Sequence, residues 1–212
     1  MDSATRLIVV RHGETAWNVD QRIQGHLDVP LNDRGRWQAD RMAGALAEEP
    51  FAAIYSSDLS RAAATAGALA RVAGVPVQHD IGLRERAFGH FEGVSWSEIH
   101  ARWPEDAQRW RARDPDFAPG GGESLRVFYS RVVGTALRLA RAHPGQTVAL
   151  VAHGGVLDCL YRAATRIDLQ APRTWKLGNA AINRLLHGED GFTLVGWNDA
   201  GHLDESSAGS EL

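Results

Sequence analysis

Apolar positions in this chain come in two textures. Some form short unbroken runs, and others recur every three or four residues. Leu7-Ile8-Val9-Val10 and Val148-Ala149-Leu150-Val151-Ala152 are of the first kind. They predict strands over 6–10 and 147–152, covered on both faces as in the middle of a parallel sheet. A strand is also predicted over 52–55, with a further one at Val75-Pro76-Val77. Helical spacing fills the intervals. Leu31-Asn32-Asp33-Arg34-Gly35 opens a helix with Asn32 or Asp33 as its N-cap, Trp37, Met42, Ala45 and Leu46 form its apolar face, and Pro50 closes it. Ser56-Ser57-Asp58 is a dense capping signal ahead of a helix through Leu59, Ala62, Ala66, Leu69 and Val72 to Gly74. Residues 96–113 read as a helix broken by Pro104. Its Trp96, Trp103 and Trp110 stand seven apart and make a packing stripe. Glu123-Ser124 opens a long helix to about residue 142, stopped by His143-Pro144-Gly145. A helix over 155–164 follows the strand at 147–152. Residues 183–187 and 192–197 form a hairpin around Gly188-Glu189-Asp190-Gly191. From Asp199 the chain is polar and acidic and is expected to be mobile. This pattern predicts a single domain over 1–198 with a tail at 199–212. Its fold is α/β, a three-layer α/β/α sandwich on a mostly parallel central sheet.

Composition removes several alternatives. A formal net charge of −3 over 212 residues leaves no electrostatic footprint for nucleic acid. No apolar run reaches the length of a signal peptide or membrane span, so no membrane partner is expected. The single cysteine, Cys159, cannot form an intramolecular disulfide and reads as a small core residue. A soluble, cytoplasmic protein is the resulting expectation. Whether it forms a homodimer is left open.

Candidate chemistry lies at the strand ends. The first strand stops at Arg11-His12-Gly13, and the strand at 147–152 stops at His153-Gly154-Gly155. In α/β sheets ligands bind beyond the C-terminal ends of the strands, so neighbouring strands would turn both histidines into one pocket. The following glycines, Gly154 among them, let a ligand approach the backbone. Arg61 falls in the first turn of a helix, where the dipole already favours an anion. Two guanidinium forks and two imidazoles describe an oxyanion site whose natural occupant is phosphate. Asn18, in the long loop 13–32, adds a neutral donor. A neutral imidazole is also a nucleophile near pH 7, so attack by His12 on phosphorus would form a phosphohistidine. The leaving alkoxide needs a proton. Glu85, in the irregular Gly82-Leu83-Arg84-Glu85-Arg86-Ala87-Phe88-Gly89, is the best-placed carboxylic acid. Glu14, Glu92 and Glu123 are the other carboxylates in similar settings. The remaining histidines show no metal-ligand spacing. His26 and His90 fall in loops near the proposed pocket. One of Arg84 and Arg86 is expected to face that pocket.

Arg11-His12-Gly13-Glu14-Thr15 with Trp17-Asn18 resembles the signature of the histidine phosphatase superfamily, which includes the cofactor-dependent phosphoglycerate mutases. The likeness continues in order through Gln24-Gly25, Leu31-Asn32, Ser56, Asp58-Leu59-Ser60-Arg61-Ala62, Leu83-Arg84-Glu85, Phe88-Gly89, Glu92-Gly93, Gly121-Gly122-Glu123-Ser124 and Ala152-His153-Gly154-Gly155. It implies a phosphoglycerate mutase-like fold. His12 would be the phosphorylated histidine and Glu85 the proton donor. Arg11, Asn18, Arg61, His153 and Gly154 would hold the phosphate, and Gln24 and Gly25 would face the substrate. It also implies no metal, no nucleotide or other cofactor, and a small phosphomonoester as substrate. Within the superfamily, glycolytic mutases resemble one another in a longer, more basic insertion between the proton donor and the second histidine. This chain is shorter there, which points to a phosphatase, with phosphoglycerate mutase activity as the alternative. A non-catalytic phospho-ligand binder is a third reading, and it predicts loss of His12, Arg61 or Glu85, all of which are present.

Overall fold

The computed structural model describes residues 4–204. In chain order the elements are β1 (Thr5–Arg11), a single turn α1 (Ala16–Val19), α2 (Asp33–Ala45), β2 (Phe51–Ser56), α3 (Ser60–Ala73) and β3 (Val77–His79). There follow α4 (Trp96–Arg102), α5 (Pro104–Arg111), α6 (Leu125–Arg141), β4 (Thr147–Ala152), α7 (Gly154–Thr165), β5 (Ile182–Gly188) and β6 (Gly191–Asp199). The six strands make one sheet in the order β3-β2-β4-β1-β5-β6. β1 to β4 are parallel, and the terminal hairpin β5–β6 adds to that sheet antiparallel to β1.

Period-two alternation inside the apolar runs builds the three layers. Leu7, Val9, Val148 and Leu150 turn to one face and pack with Phe128, Val132 and Leu139 of α6 and with Val156, Leu157 and Leu160 of α7. Ile8, Val10, Ala149 and Val151 turn to the other and meet Met42 of α2 and Ala62, Ala66 and Leu69 of α3. The central strands β1 and β4 are therefore covered on both sides, which is why they read as solid apolar runs. The tryptophan stripe packs as expected. Trp96, Trp103 and Trp110 sit against a separate cluster of Phe91, Ile99, Ala107 and Phe117. No helix of the described residues is long and apolar enough to cross a membrane.

Three local expectations are revised. The capping signal Ser56-Ser57-Asp58 does not cap α3. Its N-cap is Leu59, which makes no side-chain bond, and the Ser60 N–H donates instead to Asp28 Oδ1 at 2.8 Å. Asp58 is unavailable because Arg84 holds both its oxygens. The short strand lies at Val77–His79 rather than beginning at Val75, because Pro76 has no N–H for the ladder. Of the stretch from Asp199, residues 200–204 form a short turn against α2, where Arg41 Nε donates to His202 O at 2.8 Å. The remainder of the expected tail, 205–212, lies outside the described residues.

The end of β1 is pressed against the start of α2. A Cβ on Gly13 would lie 2.3 Å from Gly35 O, and one on Gly35 would lie 2.0 Å from Glu14 O. Both obstacles are backbone and cannot swing away. Gly13→Ala and Gly35→Ala are each expected to cost roughly 1–3 kcal/mol and lower the melting temperature by several degrees. Gly44→Ala, in the same helix with open space around it, should cost nothing. Thermal melts of the three variants check this.

Candidate active site

Parallel pairing of β1 with β4 places Arg11 opposite Ala152, and the His12 N–H donates to Ala152 O at 2.9 Å. In that register the next residue of each strand is a histidine. The His12 and His153 rings lie with centroids 5.2 Å apart. His12 Nδ1 is 2.7 Å from Gly13 O, an atom that only accepts. Neutral His12 is therefore the Nδ1–H tautomer, and its lone pair is on Nε2. The ring's mount is itself held, since Asn179 Nδ2 donates to His12 O at 2.9 Å and Gly13 N–H donates to Thr65 Oγ1 at 3.0 Å.

The cations are fixed through backbone carbonyls rather than carboxylates. Arg61 donates through Nη1 to Leu27 O and through Nη2 to Gly25 O, at 2.9 and 2.8 Å. Arg11 Nη1 donates to Leu177 O at 2.6 Å. Among the described residues neither Nε–H of this buried pair finds an acceptor, and His153 is fully buried with neither ring nitrogen bonded. Unpaired buried polar atoms are costly in a folded protein. The two guanidinium Nε–H donors beside the His12 ring mark a place built for an acceptor-rich ligand. Asn18 Oδ1 accepts from Thr15 N–H and Thr15 Oγ1, and from Asn179 Nδ2. That turns its amide N–H₂ the other way.

Glu85 completes the group. Its Oε2 accepts from Gly155 N–H at 3.0 Å and its Oε1 from Arg86 N–H at 2.9 Å. A Cβ on Gly155 would come within 2.2 Å of Oε1, so glycine there makes room for the carboxyl. His12, Arg11, Asn18, Arg61, Glu85, and the loop residues Gln24 and Gly25 share one cleft of about 700 Å³, together with Gly154. His153 backs His12 without lining it. Gly25 (φ +52°) also has Glu92 packed where a side chain would be. Glu14, Glu92 and Glu123 are spent elsewhere, on Asn32 Nδ2, on the N–H groups of His26 and Phe88, and on Arg131. Arg86 faces the cleft, while Arg84 faces Asp58. His26 Nε2 lies 2.9 Å from Glu85 O, and His90 packs on Trp103 beside Asp106. Neither lines the cleft. Among the described residues no group of three or more His, Cys, Asp or Glu is placed to hold a metal ion.

Sequence reasoning missed two parts of this cleft. One is the segment 173–178, whose Arg173, Trp175, Lys176 and Leu177 form a wall. It has no periodicity to reveal it, and only its carbonyl grip on Arg11 ties it to β1. The other lies behind the lining: Arg131 donates to the carbonyls of Gly82, Arg84 and Glu85 and shapes the loop that carries Glu85.

The family pattern of the histidine phosphatase superfamily (branch 1) matches residues 7–200. The chain is 41% identical to phosphoglycerate mutase-like protein 4 of Arabidopsis thaliana, covering 94% of this chain and 87% of that protein. It is 37% identical to the metal-independent phosphoserine phosphatase of the same plant, over 94% and 83%. A solved structure of the mycobacterial glucosyl-3-phosphoglycerate phosphatase in complex with VO3 superposes with a TM-score of 0.82 at 34% identity, over 92% of this chain and 99% of that one.

Electrostatics keep both histidines neutral. Burial pushes the His12 pKa well below its ordinary value, and Arg11 and Arg61 push it further in that direction. His153 is lowered in the same direction by burial, then by Arg61 and His12. An unfolded chain takes up these protons below about pH 6.5 while the folded chain refuses them. Stability is thus fully present above pH 6.5 and falls as pH drops below it. Chemical denaturation from pH 8 to 5 should show this decline, and His153→Asn should flatten it.

Proposed function

This chain belongs to the histidine phosphatase superfamily, branch 1, as a phosphomonoester hydrolase of small phosphorylated metabolites, and we propose that it works through a phosphohistidine on His12. The observation that carries this reading is the set of unpaired donors around the His12 ring. Arg11 Nε, Arg61 Nε and the Asn18 amide present donors to a phosphoryl group in front of the nucleophile, and the His153 ring packs against His12 behind them. In the first step His12 Nε2 forms a bond to phosphorus as the ester P–O bond breaks. Charge spreads over the equatorial oxygens, where the two guanidinium groups and the start of α7 stabilise it. The positive charge growing on the ring is taken up by the Nδ1–H bond to Gly13 O. Glu85 in its acid form gives its proton to the departing oxygen. In the second step the Glu85 carboxylate takes a proton from water, the new hydroxide oxygen bonds to phosphorus, and the N–P bond breaks. Phosphate leaves and both side chains return to their starting states. Gln24 and Gly25 border the leaving group.

Hydrolysis rather than mutase chemistry is supported by relatives named as phosphatases. The short interval between Glu85 and His153 supports it too. No step above calls on a metal, and one relative is named as metal-independent. The cytoplasm is the proposed setting, supported by a single buried thiol, Cys159.

Brief incubation with a ³²P-labelled phosphomonoester in EDTA should leave acid-labile, alkali-stable label on the protein. Label persisting in His12→Ala would refute the assignment. Glu85→Gln should slow alkyl phosphates at least about 100-fold and p-nitrophenyl phosphate far less, because its leaving group hardly needs a proton. Equal slowing in steady-state assays would give Glu85 a positional role instead.

A further inference from the structure

The cleft extends well past the phosphate end, and its far wall holds a second set of unmet polar groups. Asp158 lies on α7, four residues after Gly154, so it shares that residue's helix face about 6 Å further along. It lines the cleft with its side chain only 8% exposed. One of its oxygens, Oδ2, accepts from Arg113 Nη2 at 2.8 Å and from Arg162 Nε at 3.1 Å. The other, Oδ1, is buried with no partner among the described residues. Trp175 is close by, with the Arg162 guanidinium 4.8 Å from its ring, and its indole Nε1–H is likewise buried, unpartnered and part of the cleft. An acceptor and a donor, both left unmet, thus belong to two cleft residues that share the Arg162 guanidinium.

Charge adds a second constraint. Among the described residues, beyond Arg11 and Arg61 the cleft is lined by Arg22, Arg86, Arg113, Arg173 and Lys176, against two carboxylates, Glu85 and Asp158. That is an excess for one phosphate, in a chain whose formal net charge is −3. Such a concave, cation-lined site draws an anion with more than one acidic group.

We propose that Asp158, with Trp175 and Arg113 beside it, is a specificity subsite that reads a hydrogen-bond donor, hydroxyl or ammonium, on a short phosphorylated carboxylic acid. The inference rests on the hydrolase reading above. The phosphate sits at the start of α7, Glu85 meets the ester oxygen over Gly155, and the donor reaches Asp158 Oδ1 one helical turn further on. Roughly 6 Å suits a spacer of two or three atoms followed by a hydrogen bond. The carboxylate of the same leaving group takes the cationic wall and the indole N–H.

Three esters that differ at one position test this: 3-phosphooxypropionate, with no donor, 3-phosphoglycerate, with a hydroxyl, and O-phosphoserine, with an ammonium. Phosphate release by the wild-type chain should show kcat/KM about 10- to 100-fold higher for at least one donor-bearing ester than for 3-phosphooxypropionate. The preferred ester tells hydroxyl from ammonium. Asp158→Asn should bring that ratio towards one. Equal kcat/KM for all three esters in the wild type, or an undiminished ratio in Asp158→Asn, overturns the proposal. The wild-type comparison decides by itself should the variant fail to fold. Release from p-nitrophenyl phosphate but from none of the three esters overturns the subsite alone, whereas release from none of the four overturns the hydrolase reading and the subsite with it.

Discussion

Everything at this site depends on the pairing of β1 with β4. Two parallel strands in a fixed register bring residues separated by most of the chain to the same height on one sheet edge. The His12 N–H bond to Ala152 O is the last rung of that ladder. A slip of one residue would send His12 and His153 to different faces. The apolar alternation of both strands, locked between two helix layers, prevents the slip. The core therefore sets the spacing of the two imidazoles, and the loops only dress it.

The cations are secured in a way that keeps them useful. Arg11 and Arg61 could have been neutralised by buried carboxylates, which would have satisfied them and left nothing for a ligand. Backbone carbonyls of Leu177, Leu27 and Gly25 orient them instead. Their charge is retained in a setting that penalises it, and burial lowers the pKa of both. An incoming phosphoryl group relieves that penalty. Burial, and after it the same preorganised charge, keeps His12 unprotonated and its Nε2 lone pair free.

Much of this was legible in the chain. Arg11-His12-Gly13 and His153-Gly154-Gly155 close apolar runs that only central strands explain, and Arg61 stands one residue into a helix. The carboxylates were harder. Glu14, Glu85, Glu92 and Glu123 look alike in sequence, and the three that bind Asn32, backbone N–H groups and Arg131 become distinguishable only when those partners are in place. The capping of α3 was misjudged for the same reason: Asp58 is a good cap in isolation, but a bidentate guanidinium from Arg84 outcompetes a single N–H. The wall at 173–178 carries no period and no motif, because its conformation is set by what it touches.

The two sides of the cleft differ in how they are tied to the chemistry. Asp28, in the loop that carries Gln24 and Gly25, holds the first N–H of α3, and that loop's carbonyls hold Arg61. Any reshaping of that loop is transmitted to a phosphate ligand one bond away. The 173–178 wall meets the phosphate end through the Leu177 carbonyl on Arg11, and the outer turn of α7 carries Asp158 away from it. Leaving-group preference is thus separable from the phosphate end on the α7 side and inseparable from it on the loop side, where the same carbonyls hold Arg61.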